Sequence, residues 1–184
     1  MLKKVSDITL LSIRNSILIN AIPALEKQGF KKSPFVSSWF GRNNLGDFTY
    51  DLARLSNSYL ELVTIHISKG DRWIKVYLNI FNLIPPPQKL SDLNGINGIA
   101  FRLFPNNKTQ MRMDLELPKR RFVDFLYSKK EYRLKSFYTH AGFIKRQQEL
   151  ENILILDFTN ISMKIKLWLK RYKPLKTDWD GNII

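Results

Sequence analysis

The groups that could do chemistry in this chain are few. It holds two histidines, His66 and His140, and no cysteine. Neither histidine has a carboxylate or a second histidine at ligand spacing, which argues against a zinc site and against an imidazole-activated nucleophile. The lack of cysteine excludes disulfides, a thiol nucleophile and thiolate metal ligands. Phosphate-cradling glycine loops are missing too: there is no Walker pattern, no G-x-G-x-x-G after a strand and no G-x-S-x-G turn. Asp178-Trp179-Asp180-Gly181-Asn182 offers oxygens at alternate positions like the start of a calcium loop. The later glycine and bidentate glutamate of such a loop do not follow, so an Asp-Gly turn with Trp179 laid on the body is expected. No cofactor and no catalytic residue is assigned, and the expectation is a non-enzymatic protein. His140, in Tyr138-Thr139-His140-Ala141-Gly142, reads as part of a turn between helices.

One stretch does suggest a surface. Residues 60–81 read LELVTIHISKGDRWIKVYLNIF, two alternating runs about Lys69-Gly70-Asp71-Arg72. Side chains alternate across a strand, so Val63, Ile65 and Ile67 share a face with Ile74, Val76, Leu78 and Ile80, joined by Met111, Met113 and Leu115. The opposite row is Thr64, His66 and Ser68, then Lys75, Tyr77 and Asn79, continued by Arg102, Arg112, Asp114 and Glu116. Rings interleaved with cations on an open antiparallel sheet suit single-stranded nucleic acid, and Tyr and Arg also dominate protein interface hot spots. A solvated face with ordinary cross-strand pairs would account for the same row. The partner-binding candidates are His66, Lys75, Tyr77, Asn79, Arg102 and Arg112, with Lys170 and Arg171 from the basic C-terminal region.

The formal charge of +14 and pI near 10.0 favour an acidic protein surface, a phosphate backbone or anionic lipid as partner. A Lys-, Asn- and Ile-rich composition, as an AT-rich coding genome produces, raises pI by itself. Positions 118–184 hold 15 Lys and Arg against 7 Asp and Glu, or +8 of the total. Lys164, Lys166, Lys170, Arg171 and Lys173 exceed what a helix C-terminal dipole would use. No run of 18 apolar residues occurs, and Asp7, Arg14, Asn15 and Asn20 interrupt the apolar N-terminal run, so neither membrane insertion nor a signal peptide is expected. A cytoplasmic location fits the missing cysteines.

The elements that must position these residues follow from hydrophobic period. Leu10, Ile13, Ile17, Leu18, Ala21, Ile22 and Leu25 recur at helical spacing, predicting a helix over about 6–28 that Gly29 ends and that Pro23 kinks or restarts near Ile19-Asn20. From Phe30 the period becomes two, predicting strands over 34–42, 46–55, 59–69 and 72–83, with Gly70-Asp71 as a hairpin turn. Pro85-Pro86-Pro87 opens a loop of about 15 residues. A second hairpin is expected from Ile99–Phe104 and Thr109–Leu117, so the sheet spans about 34–117. Helices are expected over about 118–128 and 147–172, the latter carrying Leu150, Leu154, Phe158, Ile161, Ile165 and Trp168 as one stripe. The expected fold is a single α+β domain over 1–184, an antiparallel meander of five or six strands. Its N- and C-terminal helices would pack on one face and leave the other open.

The order "ALEKQGFKK", an aromatic strand, a meander ending in "YLNIFNL" and a C-terminal helix resembles an uncharacterised bacterial domain family of about this size, over roughly positions 18–83. Some of its members lie near toxin and immunity genes. The resemblance carries no functional residues and implies no reaction; it is compatible with a toxin-neutralising immunity role. The expected function is therefore a basic binding protein engaging an acidic protein partner, with a nucleic-acid-binding domain as the alternative. An inhibitor of a nuclease would be expected to be acidic, so the positive charge suits a different target.

Overall fold

The computed structural model describes residues 7–56, 59–69, 73–102, 110–112 and 132–184. Its elements are α1 (Asp7–Lys27), β1 (Lys31–Lys32), β2 (Phe40–Arg42), β3 (Phe48–Ser56), β4 (Tyr59–Ile67), β5 (Lys75–Leu83), a 3-10 turn (Leu90–Leu93), α2 (Ile99–Arg102), β6 (Gln110–Arg112), α3 (His140–Thr159), α4 (Ile161–Arg171) and β7 (Leu175–Thr177). The class is α+β. β3, β4 and β5 form the antiparallel meander, with Tyr50 opposite Ile65 and Thr64 opposite Tyr77. Short β1 and β2 share the outer edge of β3, and β6 and β7 divide the outer edge of β5.

α1 remains helical through Pro23 and stops where the sequence places its glycine. Gly29 takes φ of +88°, and the amides of Gly29 and Phe30 donate to the carbonyls of Glu26 and Leu25. This is a Schellman ending, in which a left-handed residue lets the chain reverse and satisfy the last helical carbonyls. Phe30 then packs into the same core as Leu25.

The helices cover one face of the sheet, as the alternation predicts. Val63, Ile65, Ile67, Ile74, Val76, Leu78 and Ile80 are buried against Leu18, Ala21 and Leu25 of α1, Leu154 and Phe158 of α3, and Ile161 and Trp168 of α4. Buried Arg14 ties this layer to the strand ends, donating to the carbonyls of Leu10, Ser68 and Trp73. That clamp fixes the ends of β4 and β5, which carry His66 and Lys75.

Several expectations are corrected. Ile99–Arg102 is a short helix rather than a strand, because Gly98 turns the chain at φ +71°. Phe101 then stacks on Phe35 at 5.0 Å between centroids and meets Phe81 edge-on at 4.9 Å. The strand expected over 34–42 is reduced to β2, and Phe35–Ser37 turn beneath the loop at Ile96 and Asn97. The C-terminal helix starts earlier, at His140, with Thr139 accepting from the Gly142 amide as its N-cap, and it breaks at Asn160. The Asn160 side chain donates to the Leu156 carbonyl at 2.9 Å, which the Asn160 backbone amide also reaches at 3.1 Å, so both donors close the end of α3. β7 lies parallel to β5, so the sheet is mixed; the long helical connection from β5 makes that pairing accessible. The Gly70-Asp71 turn, the strand beyond Arg112, with Met113, Asp114, Leu115 and Glu116, and the helix over 118–128 lie outside the described residues.

The second face of the sheet is not open along its length. Ala53, Leu60, Leu62, Phe81 and Leu83 form a second core with Phe35, Leu93 and Phe101. The loop over 84–98, α2 and the C-terminal turn cover this half, with the Trp179 indole donating to the Pro85 carbonyl at 2.6 Å.

Candidate partner-binding site

Along β3, β4 and β5 the second face changes from apolar to polar. At one end Leu55 pairs with Leu60, and Leu60 with Phe81; at the other Thr49 pairs with His66, and His66 with Lys75. The loop and α2 stop short of the polar end, leaving a pocket of about 460 Å3. Thr49, Thr64, His66, Ser68, Lys75 and Tyr77 come from the sheet, Trp39 and Leu45 from either side of β2, and Ile99 from α2. Its volume lies in the range of ligand and anchor-residue pockets, roughly 300–1,000 Å3.

The floor is organised by internal hydrogen bonds. Asp51, 3% exposed, accepts from the Thr64 hydroxyl at 2.9 Å and from the Trp39 amide at 2.8 Å. Asn43 Oδ1 accepts from the Leu45 and Asp47 amides, closing the β2–β3 turn, while the side-chain NH2 group donates to Thr49 Oγ1 at 3.2 Å. Asp47 accepts from the Lys69 amide at 2.8 Å and sets its other oxygen 3.5 Å from His66 Nε2. Thr49 Oγ1 lies 3.0 Å from His66 Nδ1. Because Asn43 donates to that hydroxyl and Asp47 can only accept, the consistent tautomer of neutral His66 carries its proton on Nε2. These groups stand in the order carboxylate, imidazole, hydroxyl. The hydroxyl is 3% exposed and already accepts from Asn43, so the array ties the turn to the sheet.

The electrostatics follow from the same bonds. Both carboxylates near the pocket are engaged inward, whereas half-buried Lys75 lines it. Among the other described groups, burial pushes the Glu61 carboxyl up against the opposing pull of Arg54, whose guanidinium lies 2.6 Å away. That pair is on the helix side and joins β3 and β4 to the turn after α1 and to α4: Arg54 also donates to the Gln28 carbonyl and Ser162 Oγ. Burial likewise raises the Tyr50 phenol, which donates to Asn15 Oδ1 at 2.6 Å. Neither reaches the pocket. No group of three or more metal-ligating side chains occurs among the described residues.

The structure brings together three of the residues singled out from sequence, His66, Lys75 and Tyr77. Arg112 stands in register with Tyr77, and Arg102 ends α2 on the pocket's side of the sheet. Asn79 belongs to the same row but is 2% exposed beneath the second core's border, out of reach of a partner. Lys170 is exposed on α4, and Arg171 ends that helix, on the other side of the sheet. The basic C-terminal region and the sheet face are therefore two surfaces. Sequence reasoning missed Trp39, Asn43, Leu45 and Ile99. The signal for two of them was the Asn43-Asn44-Leu45-Gly46 turn, whose leading asparagine closes it and whose glycine takes φ of +82°.

No family model, no curated protein and no solved structure matches this chain.

Proposed function

We propose that this chain is a binding protein that engages an acidic protein partner through the pocketed, polar half of its second sheet face. The resemblance to domains near toxin and immunity genes supports neutralisation of that partner as the biological role. The observation that carries the reading is the electrostatic asymmetry of the pocket: Asp47 and Asp51 are bonded inward, while Lys75 lines it on a chain of net charge +14. Charge of this kind speeds encounter, and buried aromatic or aliphatic contacts set the lifetime of the complex. The nucleic-acid alternative is weakened by the separation of Lys170 from the pocket, because the sheet lies between the two.

The test is to identify the partner by mass spectrometry after capture from the native cell, purify it, and titrate it against wild type and Tyr77→Ala combined with Lys75→Ala. A loss of about 30-fold or more, the size of a hot-spot contribution, supports the reading. Unchanged affinity for the double variant overturns it. So does tight single-strand nucleic-acid binding with a log-log salt slope near −0.7 per phosphate contact.

A further inference from the structure

We infer that the pocket receives one large apolar side chain of the partner, flanked there by carboxylates; the occupant is an acidic segment with an aromatic anchor. The inference rests on the binding role proposed above and adds the chemistry of what is bound. Two features point to it. The walls are apolar although the floor is polar: Trp39, Leu45, Ile99 and the Tyr77 ring stand round the Thr49, Thr64 and His66 floor. The floor groups are already bonded to one another, so they demand little from a ligand.

The second feature is Leu45, 86% exposed beside this cavity. An exposed leucine on a mobile loop would mean little. This one sits on a turn held by the Asn43 side chain to the Leu45 and Asp47 amides, with Asp47 in turn fixed to the Lys69 amide. A contact made by a preorganised turn loses little ordering entropy on binding, which is how an exposed apolar residue becomes an anchor. Arg42 braces the same turn, donating to the Gly46 carbonyl at 3.3 Å. An apolar anchor flanked by carboxylates matches an apolar cavity with Lys75 in its lining, and the +14 chain supplies the long-range attraction.

The experiment is calorimetric titration of the full chain with three capped pentapeptides, EEFEE, EEAEE and KKFKK. The expected result is saturable binding of EEFEE below about 1 mM, tenfold or more weaker binding of EEAEE, and none of KKFKK. Leu45→Asp and Tyr77→Ala should each weaken EEFEE at least fivefold. Leu156→Asp, at a position 62% exposed on α3 across the sheet, should leave it unchanged. Folding of each variant is checked by its thermal transition. Equal binding of EEFEE and EEAEE overturns the anchor while leaving the acidic-partner reading intact. Equal binding of EEFEE and KKFKK overturns the charge argument and that reading with it. Failure of all three peptides, or equal loss in Leu156→Asp, overturns the pocket as the site.

Discussion

Replacing Gly98 by alanine tests the packing that holds the pocket's α2 wall. A Cβ on Gly98 would lie 2.1 Å from Phe35 Cγ and 2.4 Å from its Cβ, with the backbone at φ +71°. Gly95 is a built-in control: its φ is +86°, but nothing lies within 4 Å of the added carbon. The left-handed backbone costs an L-residue about 1–2 kcal/mol, offset partly by about 0.4–1 kcal/mol of lost unfolded-state freedom. Gly95→Ala should therefore destabilise by about 1 kcal/mol. At Gly98 the clash adds an overpacking cost of about 1–3 kcal/mol, because the Phe35 ring is 4% exposed and held between Gly98 and Phe101.

The total for Gly98→Ala is about 2–4 kcal/mol, or about 4–16 °C in melting temperature for a chain of this size. Urea midpoints at constant m-value give the comparison. Phe35→Ala alone should cost about 3–5 kcal/mol. Adding Gly98→Ala in that background should cost no more than Gly95→Ala does, since the ring it strikes is gone. Equal losses for Gly95→Ala and Gly98→Ala in the wild-type background would refute the reasoning. They would mean that the ring yields freely and that the second core is not close-packed there.

Three further outcomes follow from the geometry. Asp51→Ala should destabilise by about 1–3 kcal/mol, because the Trp39 amide and Thr64 hydroxyl lose a buried acceptor; Asp51→Asn, which keeps one acceptor oxygen, should cost less, and denaturant titration separates them. Leu154→Ala, fully buried between helix and sheet, should cost about 2–5 kcal/mol, whereas Leu156→Ala, two positions on and exposed, should stay within about 0.5 kcal/mol. The native Glu61 carboxyl is raised above its usual range of about 4.3 by burial, so its favourable contribution is complete below that value and is lost as pH rises through the native one. The stability of wild type relative to Glu61→Gln should accordingly fall over that interval, and a relative gain with rising pH would contradict the burial argument.

The helix-side core was legible because alternation in β4 and β5 is strict and the stripes on α1 and α3 have the length to cover it. The same period misled at Ile99–Phe104: a short apolar run reads equally as strand or helix, and the positive φ at Gly98 decided between them. β7 could not be seen because its three residues, Leu175-Lys176-Thr177, owe their pairing to β5 rather than to their own pattern. For the site, strand parity placed His66, Lys75 and Tyr77 together. It said nothing of Trp39, Leu45 and Ile99, which arrive from a turn and a loop across the sheet. Asn79 shows the limit of parity: a polar residue on the right face is still buried if a loop happens to cross it.

That crossing also explains why the pocket lies where it does. Two layers on one face and none on the other would leave Leu55, Leu60, Phe81 and Leu83 in water, so this half must be covered, and the segment from Ile84 to Phe101 does so with Phe35 from the opposite edge. Covering the rest would bury Lys75 and His66 as well, at a desolvation cost that an apolar loop cannot offset. The cover ends where the side chains become charged, and Asp51 marks the border by holding the Trp39 amide from the polar side. The edge of the cover and the polar floor together make a concavity with apolar walls and Lys75 in its lining. Such a shape needs no residue beyond those that fold the sheet, which is why neither a conventional catalytic motif nor a metal-binding pattern announces it in the sequence.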